Sequence, residues 1–268
     1  MAGRPVAVVT GAGSGLGKAL ALELARRGHD VVGCDLEEAR LEALAPELEA
    51  LGSRLVGLRV DVTVPEGVEG LRDAAMHAGG RLDVWVNNAG VAVAGEVGDV
   101  PLADWRWLLE VNLMGVVHGC HVAVPVMRRQ GSGRILNVAS AAGLVSTPGM
   151  AAYNASKAAV VALTETLAGE LAGTGVGATV LCPTFFPTNL LDTARSADER
   201  HRRTAHKLMQ RSTWTAADVA RVALTDLEAG RLYSVPMADG RWLWRLKRAA
   251  PDRFGGLLAW GARRIRGG

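Results

Sequence analysis

Aromatic side chains are scarce in this chain, and its few cysteines have no paired spacing. Only 4 % of the 268 residues are Phe, Trp or Tyr, although 49 % are hydrophobic. Cys34, Cys120 and Cys182 fall in strand or helix patterns, without the spacing of a disulfide framework or a metal site. We therefore expect buried, reduced thiols in a cytoplasmic protein, and we expect no metal ligands.

The sequence also lacks the features of exported, membrane-spanning or nucleic-acid-binding proteins. An apolar strand pattern begins at Pro5, so we expect no signal peptide, and we expect no apolar stretch of the roughly 20 residues that span a bilayer. The net charge of +3 comes largely from the C-terminal end, and no aromatic-basic sheet pattern or recognition helix is present. A chain of this length fits one α/β domain with a large core.

Strand-like and helical segments alternate along the chain. Strand patterns fall near 5–10, 30–35, 54–60, 82–87, 133–139, 176–182 and 232–235. Helical patterns fall near 15–28, 37–51, 65–79, 104–130, 151–173 and 216–229. Near-continuous apolar strands that alternate with helices predict a doubly wound parallel sheet of about seven strands, covered on both faces. In such a sheet a ligand binds at the carboxyl ends of the strands.

A glycine-rich turn connects the first strand to the first helix. Its spacing is Thr-Gly-x-x-x-Gly-x-Gly, carried by Thr10, Gly11, Gly15 and Gly17. Glycines let the backbone turn tightly and approach a pyrophosphate, and the amino end of a helix offers free amides. The context predicts a phosphate-binding turn; the alternative is a flexible turn in a glycine-rich protein.

A tyrosine and a lysine four residues apart, Tyr153 and Lys157, share one face of a predicted helix. An ammonium beside a phenol favours the phenolate, so we expect Lys157 to lower the pKa of Tyr153 from its usual value of about 10. Tyr153 is then an acid/base near neutral pH. Ser140 follows an apolar strand pattern, where its hydroxyl can hold a carbonyl oxygen.

These motifs in this order resemble the short-chain dehydrogenase/reductase family, in its shorter, non-epimerase branch. The resemblance covers about residues 5–236, and Ser140 precedes Tyr153 by thirteen residues, the spacing usual in that family. It rests on the glycine turn, Asp61-Val62-Thr63, Asn87-Asn88-Ala89-Gly90, Asn112, Ser140, Tyr153 and Lys157. The resemblance implies a Rossmann-like fold and an NAD-dependent alcohol dehydrogenase or carbonyl reductase for a hydrophobic secondary alcohol and its ketone.

The resemblance also implies four catalytic residues, Asn112, Ser140, Tyr153 and Lys157. Tyr153 would transfer the proton, Ser140 would hold the substrate oxygen, and Lys157 would act on Tyr153 and on the nicotinamide ribose. Asn112 would support a water relay behind Lys157, unless it is only a polar residue that distorts a helix. The alternative function is a non-catalytic, NAD-binding regulatory or scaffold protein on the same fold. The glycine spacing and chain length disfavour the epimerase or dehydratase branch.

Asp35, at the end of the second strand, favours NAD over NADP, because a carboxylate there accepts bonds from ribose hydroxyls and repels a 2′-phosphate. No Arg or Lys stands at positions 12, 14, 36 or 37, and we expect Arg40 to be solvated. For Asp61 the alternative role is that of a cap on a strand-end turn. By resemblance, the cofactor-binding residues are Gly11, Ser14, Gly15, Leu16, Gly17, Asp35, Leu36, Asp61, Val62, Asn88, Ala89, Gly90, Tyr153, Lys157, Pro183 and Thr188.

The substrate side is predicted after the sixth strand. The family usually has Pro-Gly there, so Thr184 puts a positive-φ geometry in doubt. Phe185 and Phe186 form either an apolar wall or ordinary core packing. The expected substrate pocket contains Leu144, Val145, Met150, Phe185 and Phe186. Such a pocket suits steroids, long-chain alcohols, aromatic ketones or polyketide-like carbonyls.

Two further segments carry basic residues. Within a dehydrogenase domain of residues 1–240, a substrate lid at 184–215 contains Arg195, Arg200, Arg202, Arg203, Lys207 and Arg211. They indicate an anionic substrate or, as we favour, a solvated helix face. We expect His201 and His206 at the surface, and His118 and His121 at a helix or subunit contact.

The C-terminal extension, residues 241–268, has eight Arg or Lys, one acid and interleaved Trp and Leu, as in an interfacial helix. Its possible roles are an oligomer contact, a lid over a hydrophobic substrate, or docking on a membrane surface. We rank the first two slightly above the third. The family resemblance implies a homodimer or homotetramer built on the helices near 104–130 and 151–173.

Overall fold

A computed structural model describes residues 4–191, 194–196, 206–256 and 258. Its centre is a seven-stranded parallel sheet with the order β3-β2-β1-β4-β6-β7-β9. The strands of this sheet are β1 Val6–Thr10, β2 Asp30–Asp35, β3 Leu55–Arg59, β4 Val84–Asn87, β6 Gly133–Val138, β7 Val176–Leu181 and β9 Tyr233–Ser234. Two short strands, β5 Val93–Ala94 and β8 Arg195–Ser196, form a separate parallel pair. The predicted doubly wound, Rossmann-like fold is confirmed.

Helices cover the sheet, and most of them occupy the segments where the sequence pattern predicts them. They are α1 Gly15–Arg26, α2 Glu38–Glu49, α3 Pro65–Gly79, α4 Leu102–Leu109, α5 Gly115–Gln130, α6 Ala141–Leu144, α7 Ala151–Glu170, α8 Ala216–Glu228 and α9 Ala238–Ala249. A π-helical turn, Glu110–Met114, joins α4 to α5. The predicted helix near 104–130 is therefore continuous in direction but changes its hydrogen-bonding pattern in the middle.

The alternation of side chains along β1 shows how both faces of the sheet are buried. Val6 and Val8 pack in the core layer that includes residues of α3, α5 and α7. Ala7 and Val9 face the opposite layer, with residues of α1, α2 and α8. Successive side chains of a strand point to opposite faces, so a strand buried on both faces is apolar throughout. The carboxyl ends of the strands then meet at one edge of the sheet.

The continuous helical stretch Leu102–Gln130 is 29 residues long, and among the described helices it is the one long and apolar enough to cross a membrane by length and composition. The expectation that no stretch reaches this length is therefore wrong. Of the most apolar 18 residues of this stretch, 44 % are buried. Its second half, α5, packs against α3, β4 and β6, as a core helix does. The core of a water-soluble domain produces helices of this kind as well, so the stretch is weak evidence for a membrane span.

The structure adds elements that the sequence pattern does not predict. The β5–β8 pair joins the lid to the loop after β4, and α6 follows Ser140 directly. Helix α9 begins at Ala238, shortly before the predicted start of the extension. Several lid residues for which we made predictions lie outside the described residues: Arg200, His201, Arg202 and Arg203. The same holds for residues 259–268.

Candidate active site

The glycine-rich turn after β1 is built so closely that only glycine fits at its end. A Cβ atom at Gly17 would lie 1.9 Å from the carbonyl oxygen of Gly11 and 2.5 Å from Nδ2 of Asn88. Gly11 and Gly15 have φ values of 64° and 51°, in the left-handed region. The turn therefore brings the amino end of α1 to the carboxyl edge of the sheet, where Ser14 and Gly15 line a large cavity.

Thr10 links the glycine-rich turn to the loop after β4. Its hydroxyl accepts hydrogen bonds from the backbone amides of Asn88 and Ala89, at 2.9 and 3.0 Å. Nδ2 of Asn88 donates in return to the carbonyl oxygens of Thr10 and Gly11. Asn88, Ala89 and Gly90 consequently form a second wall of the same cavity.

The carboxylate of Asp35 lies at the end of β2, against the glycine-rich turn. Oδ2 accepts a hydrogen bond from the amide of Gly13 at 3.0 Å, and Oδ1 accepts one from the amide of Glu37 at 3.1 Å. Leu36 is exposed beside it and also lines the cavity. Arg40 is not simply solvated as expected: it lines the cavity and pairs with Glu37 at 2.6 Å, because one helical turn brings the two side chains together.

Asp61 and Val62 follow β3 and line the next part of the cavity. Oδ1 of Asp61 accepts hydrogen bonds from the amide and hydroxyl of Thr63, at 2.9 and 2.8 Å. This is the turn-capping role that the sequence leaves open for Asp61. Val62 is buried against α5, where a Cβ at Gly115 would lie 2.8 Å from it. Both residues reach the cavity through the turn that Asp61 stabilises.

Ser140 and Tyr153 meet at the carboxyl end of β6. The Ser140 hydroxyl caps α6 by accepting a hydrogen bond from the amide of Ala142 at 3.1 Å. Tyr153 is buried on the first turn of α7, and its hydroxyl interacts with Ser140. Both side chains line the cavity. A hydroxyl pair with this geometry can hold one oxygen atom of a ligand and transfer a proton to it.

Lys157 lies one turn beyond Tyr153 and is also buried. Its Nζ donates a hydrogen bond to the carbonyl oxygen of Val138 at 2.9 Å and lies 5.8 Å from the centre of the Tyr153 ring. A Cβ at Gly90 would come within 3.5 Å of this nitrogen, so the loop after β4 closes over it. The predicted proximity of Lys157 and Tyr153 is therefore present.

The expected lowering of the pKa of Tyr153 is wrong, because its pKa is raised. Burial raises the pKa of Tyr153 to about 12, and the hydrogen bond with Ser140 only partly opposes this rise. Burial likewise lowers the pKa of Lys157 to about 8. Burial penalises the charged form of each group, and it is the largest cause of both shifts.

Asn112 lies behind the cavity and not on its wall. Its side chain is buried in the π-helical turn, where Oδ1 accepts from the amide of Val91 at 2.8 Å. Nδ2 donates to the carbonyl oxygen of Val91 at 2.9 Å and to the hydroxyl of Ser156 at 3.2 Å. Asn112 thus ties the loop after β4 to helix α7. Single π-helical turns are frequent at functional sites.

The substrate side begins after β7. Pro183, Phe185, Phe186 and Thr188 line the cavity. Thr184 does not adopt a positive φ, so the substitution of the usual glycine leaves no strain there. Phe185 is partly exposed at the cavity, whereas Phe186 is buried in the core and lines the cavity at the same time. The wall and the packing interpretations therefore both hold for Phe186.

Of the five predicted substrate contacts, Val145 and Met150 also line the cavity, but Leu144 does not. Leu144 is buried in the core layer of α5 and α7, and its carbonyl oxygen accepts a hydrogen bond from Lys247. The reason is that α6 is one turn long and ends at Leu144, so neighbouring side chains point in different directions.

The wall residues named above surround one cavity of about 710 Å³, within the usual size range of ligand pockets. One end contains the glycine-rich turn and Asp35, and the other end is largely apolar. A family model for the short chain dehydrogenases matches residues 5–199 of this chain. The chain belongs to the short-chain dehydrogenase/reductase family.

Relatives of known name agree with this assignment. The short-chain dehydrogenase/reductase is 38 % identical over 200 residues to the CLA biosynthesis dehydrogenase/reductase of Lactiplantibacillus plantarum, which covers 74 % of this chain and 68 % of the relative. It is 36 % identical over 219 residues to the 2-(R)-hydroxypropyl-CoM dehydrogenase of Xanthobacter autotrophicus, over 80 % of this chain and 88 % of the relative.

A solved structure shows the same fold. A short-chain dehydrogenase/reductase from Burkholderia phymatum in complex with NAD superposes with a TM-score of 0.88 at 37 % identity, over 92 % of this chain and 94 % of that one. The protein is therefore an oxidoreductase of the short-chain dehydrogenase/reductase family.

Several wall residues of this short-chain dehydrogenase/reductase are not among those predicted. The apolar ones include Val91, Ala92, Trp107, Val111, Leu190, Leu208, Met209 and Leu243. The guanidinium of Arg195 lies 3.8 Å from the centre of the Trp107 ring and pairs with Asp104 at 2.7 Å. This contact fastens the lid strand β8 over α4. No sequence signal distinguishes Trp107 from the other six tryptophans.

The start of the C-terminal extension also reaches the cavity. Asp239, Gly240 and Leu243 line it, and the hydroxyl of Thr184 donates to Oδ1 of Asp239 at 3.1 Å. A Cβ at Gly240 would lie 2.8 Å from the Thr184 side chain, so α9 sits directly on the loop after β7. Of the three interpretations of the extension, this packing fits a lid over the cavity.

His118 and the three cysteine residues fit structural roles. Nδ1 of His118 lies 2.9 Å from the carbonyl oxygen of Val62, at a contact between α5 and the loop after β3. Cys34, Cys120 and Cys182 are free and buried, and burial raises the pKa of each thiol above its usual value.

Proposed function

We propose that this protein interconverts a hydrophobic secondary alcohol and its ketone with NAD(H), and that Tyr153 is the acid/base. One observation carries the proposal. Ser140, Tyr153 and Lys157 lie between a glycine-rich turn and an apolar wall, in one continuous cavity. A nucleotide cofactor and an apolar substrate can therefore meet at the same hydroxyl groups.

The residues present fit a dinucleotide. At Gly17 the turn packs so tightly against Gly11 that a Cβ has no space. At Gly15, which faces the cavity, a Cβ would lie 3.8 Å or more from the nearest atom of another segment, so there is open space beside the backbone for a ligand. Backbone amides at the amino end of α1 would hold the pyrophosphate. Asn88, Ala89 and Gly90 would line the adenosine side, Thr188 would meet the carboxamide, and Lys157 would bind the nicotinamide ribose. When bound, the cofactor supplies or accepts the hydride.

Proton transfer is the task of the buried hydroxyl groups. Burial raises the pKa of Tyr153 to about 12, so its phenol is protonated at neutral pH and is ready to donate to the oxygen of a ketone. The Ser140 hydroxyl holds the same oxygen and stabilises its developing negative charge. Lys157 is mostly charged below its pKa of about 8 and supports the negative charge that forms on Tyr153.

Asp35 supports NAD as the cofactor. Its carboxylate is held by the amides of Gly13 and Glu37 at the nucleotide end of the cavity, where a 2′-phosphate would meet negative charge. Two cations lie nearby: Arg40, which pairs with Glu37 at 2.6 Å, and Arg59, whose Nε donates to the carbonyl oxygen of Leu36 at 3.2 Å. The name of the Burkholderia phymatum structure, a complex with NAD, is consistent with this choice.

The apolar wall supports a hydrophobic substrate. Val145, Met150 and Phe185, with Trp107 and Leu243, face the cavity beside the hydroxyl pair. The named activity of the Xanthobacter autotrophicus relative is that of a dehydrogenase of a 2-hydroxypropyl group, which is a secondary alcohol. That chemistry matches a carbinol carbon placed next to Tyr153.

Assembly as a cytoplasmic homodimer or homotetramer is part of the same proposal. Members of this family are typically oligomers. Less than half of the most apolar part of Leu102–Gln130 is buried within one chain. Apolar surface that one chain leaves exposed supports a subunit contact along α5.

The test is the absorbance of reduced nicotinamide, with NAD, NADP, NADH and NADPH each offered a panel of lipophilic alcohols and ketones. We expect turnover with NAD or NADH. Tyr153→Phe should abolish turnover while NADH binding, followed by fluorescence, stays nearly intact. The chain contains only one other tyrosine, so Tyr233→Phe is the matched control and should retain activity. Turnover of Tyr153→Phe above a tenth of the wild-type rate would contradict the role, and turnover with NADPH alone would overturn the argument from Asp35.

A further inference from the structure

Large apolar side chains are exposed around the mouth of the cavity. Phe185, Leu208 and Leu243 line the cavity, yet 39 %, 39 % and 41 % of their surfaces remain exposed. On the next part of α9, Trp242 and Leu246 are 69 % and 46 % exposed. These five residues are half of the ten exposed large hydrophobic residues found in the part of the chain that the structure describes. We name them the mouth patch.

The inner contacts of α9 fix which of its faces points outward. The Trp244 ring lies 4.7 Å from the Tyr233 ring, and Nζ of Lys247 donates to the carbonyl oxygen of Leu144 at 2.8 Å. Positions three and four apart share one face of a helix, so Trp242, Leu243 and Leu246 lie together on another face. That face is held outward beside the cavity mouth.

Positive charge flanks this outward face. Arg245 and Arg248 are exposed on α9, and Arg253 is exposed just beyond it. The guanidinium of Arg248 also lies 5.5 Å from the centre of the Trp244 ring, at the border between the inner and outer faces of the helix. Arg241 and Lys247, in contrast, donate hydrogen bonds to backbone carbonyl oxygens of the protein. From residue 241 to the last residue the sequence has eight Arg or Lys and a single acid. A Trp and Leu face beside a row of arginines is complementary to an anionic bilayer surface.

We infer that the mouth patch and α9 dock on an anionic lipid bilayer, from which a lipophilic substrate enters the cavity past Phe185, Leu208 and Leu243. The substrate route rests on the proposed function, whereas the docking itself does not. A second copy of this chain is a poorer occupant, because a symmetric contact would bring the arginines of both copies together. A bilayer instead offers hydrocarbon to Trp242 and phosphate to Arg245 and Arg248.

The test is co-sedimentation of the full-length protein with vesicles, at low salt and without substrate. Vesicles contain either phosphatidylcholine alone or equal parts of phosphatidylcholine and phosphatidylglycerol. We expect binding to the anionic vesicles only, with a shift of tryptophan fluorescence to shorter wavelength. The pair Arg245→Gln and Arg248→Gln should weaken binding about thirtyfold, at about 1 kcal/mol for each charge. The pair Trp242→Ala and Leu246→Ala should weaken it about tenfold or more.

Matched controls change the same residue types elsewhere on the surface. Arg26→Gln with Arg221→Gln alters two exposed arginines of α1 and α8, and Val56→Ala with Val97→Ala alters two exposed apolar residues. We expect these controls to bind as the wild type does. All four pairs should turn over a water-soluble ketone at the wild-type rate in the absence of vesicles, since none of these residues lines the cavity.

Three results would overturn the docking. The first is no binding of the wild type to anionic vesicles, and the second is equal binding by the wild type and the two α9 pairs. The third is a change of oligomer size in Trp242→Ala without lipid, which would identify a second copy of this chain as the occupant. Failure of the proposed function gives a different pattern, namely vesicle binding without turnover of any alcohol or ketone. Turnover without vesicle binding refutes the docking and leaves the proposed function intact.

Discussion

Replacing Asn112 with alanine tests how the π-helical turn holds the active-site loop. The Asn112 side chain makes two hydrogen bonds with the backbone of Val91, at 2.8 and 2.9 Å, and one with Ser156 at 3.2 Å. Val91 follows Gly90 directly and lines the cavity. Asn112→Ala therefore removes the partners of one amide and one carbonyl group in the loop after β4.

The cost of this change follows from the buried groups left unpaired. A buried backbone donor or acceptor without a partner costs about 1–3 kcal/mol; because Val91 is only half-buried, its two groups together cost about 2–3 kcal/mol, in the lower part of the range. That is a large share of the roughly 5–15 kcal/mol by which a domain is stable. Ser156→Ala is the matched control, because it removes one neighbouring hydroxyl and leaves both bonds to Val91 in place. We expect it to cost about 1 kcal/mol.

Urea unfolding of the wild type and both variants measures these differences directly. We expect the free energy of unfolding to fall in the order wild type, Ser156→Ala, Asn112→Ala, and kcat/KM of Asn112→Ala to fall as the loop loosens. If Asn112→Ala unfolds within about 1 kcal/mol of Ser156→Ala, the bonds to Val91 do not hold the loop, and the reasoning is refuted.

Two further predictions concern the cofactor turn and the buried lysine. Gly17→Ala forces a Cβ to 1.9 Å from the Gly11 oxygen, so NADH fluorescence titration should show binding weakened about tenfold or more; Gly70→Ala, in open space on α3, should bind normally. Because burial lowers the pKa of Lys157 from 10.5 to about 8, the unfolded chain holds its proton more tightly between these values, and this group's contribution to stability rises with pH across that window. Urea unfolding measures this as the free energy of unfolding of the wild type relative to that of Lys157→Met. From pH 7 to pH 10.5 the wild type should gain up to about 3 kcal/mol relative to the variant. A difference between the two that does not change with pH would refute this.

The fold follows from the sequence because its signals are local and periodic. β1 is apolar throughout, and the structure buries Val6 and Val8 on one face and Ala7 and Val9 on the other. The order of the strands along the chain, with a helix between successive long strands, leaves few possible topologies. The β5–β8 pair is not predictable in this way, since two-residue strands have no period to detect.

In the candidate site, too, local sequence signals predict some residues and long-range packing determines the others. Residues at the ends of strands, such as Asp35 and Asn88, reach the cavity because strand ends do so in any parallel sheet. The wall formed by Trp107 and Leu243 depends on the packing of α4 and α9 over the cavity, which involves contacts between segments remote in sequence. Leu144 is misassigned for the opposite reason: it is adjacent in sequence to a true wall residue, but a short helix turns it into the core.

The pKa values of Tyr153 and Lys157 show what residue spacing leaves undetermined. Four residues on a helix predict that the two side chains are neighbours, and Nζ does lie 5.8 Å from the tyrosine ring. Residue spacing does not show how deeply the two side chains are buried. Burial decides the direction of both pKa shifts, because it favours the neutral form of each group. At neutral pH the tyrosine is therefore a phenol, while the lysine, just below its pKa of about 8, is still mostly charged. The resting pair is a proton donor beside a cation, which is the state required to give a proton to a ketone oxygen.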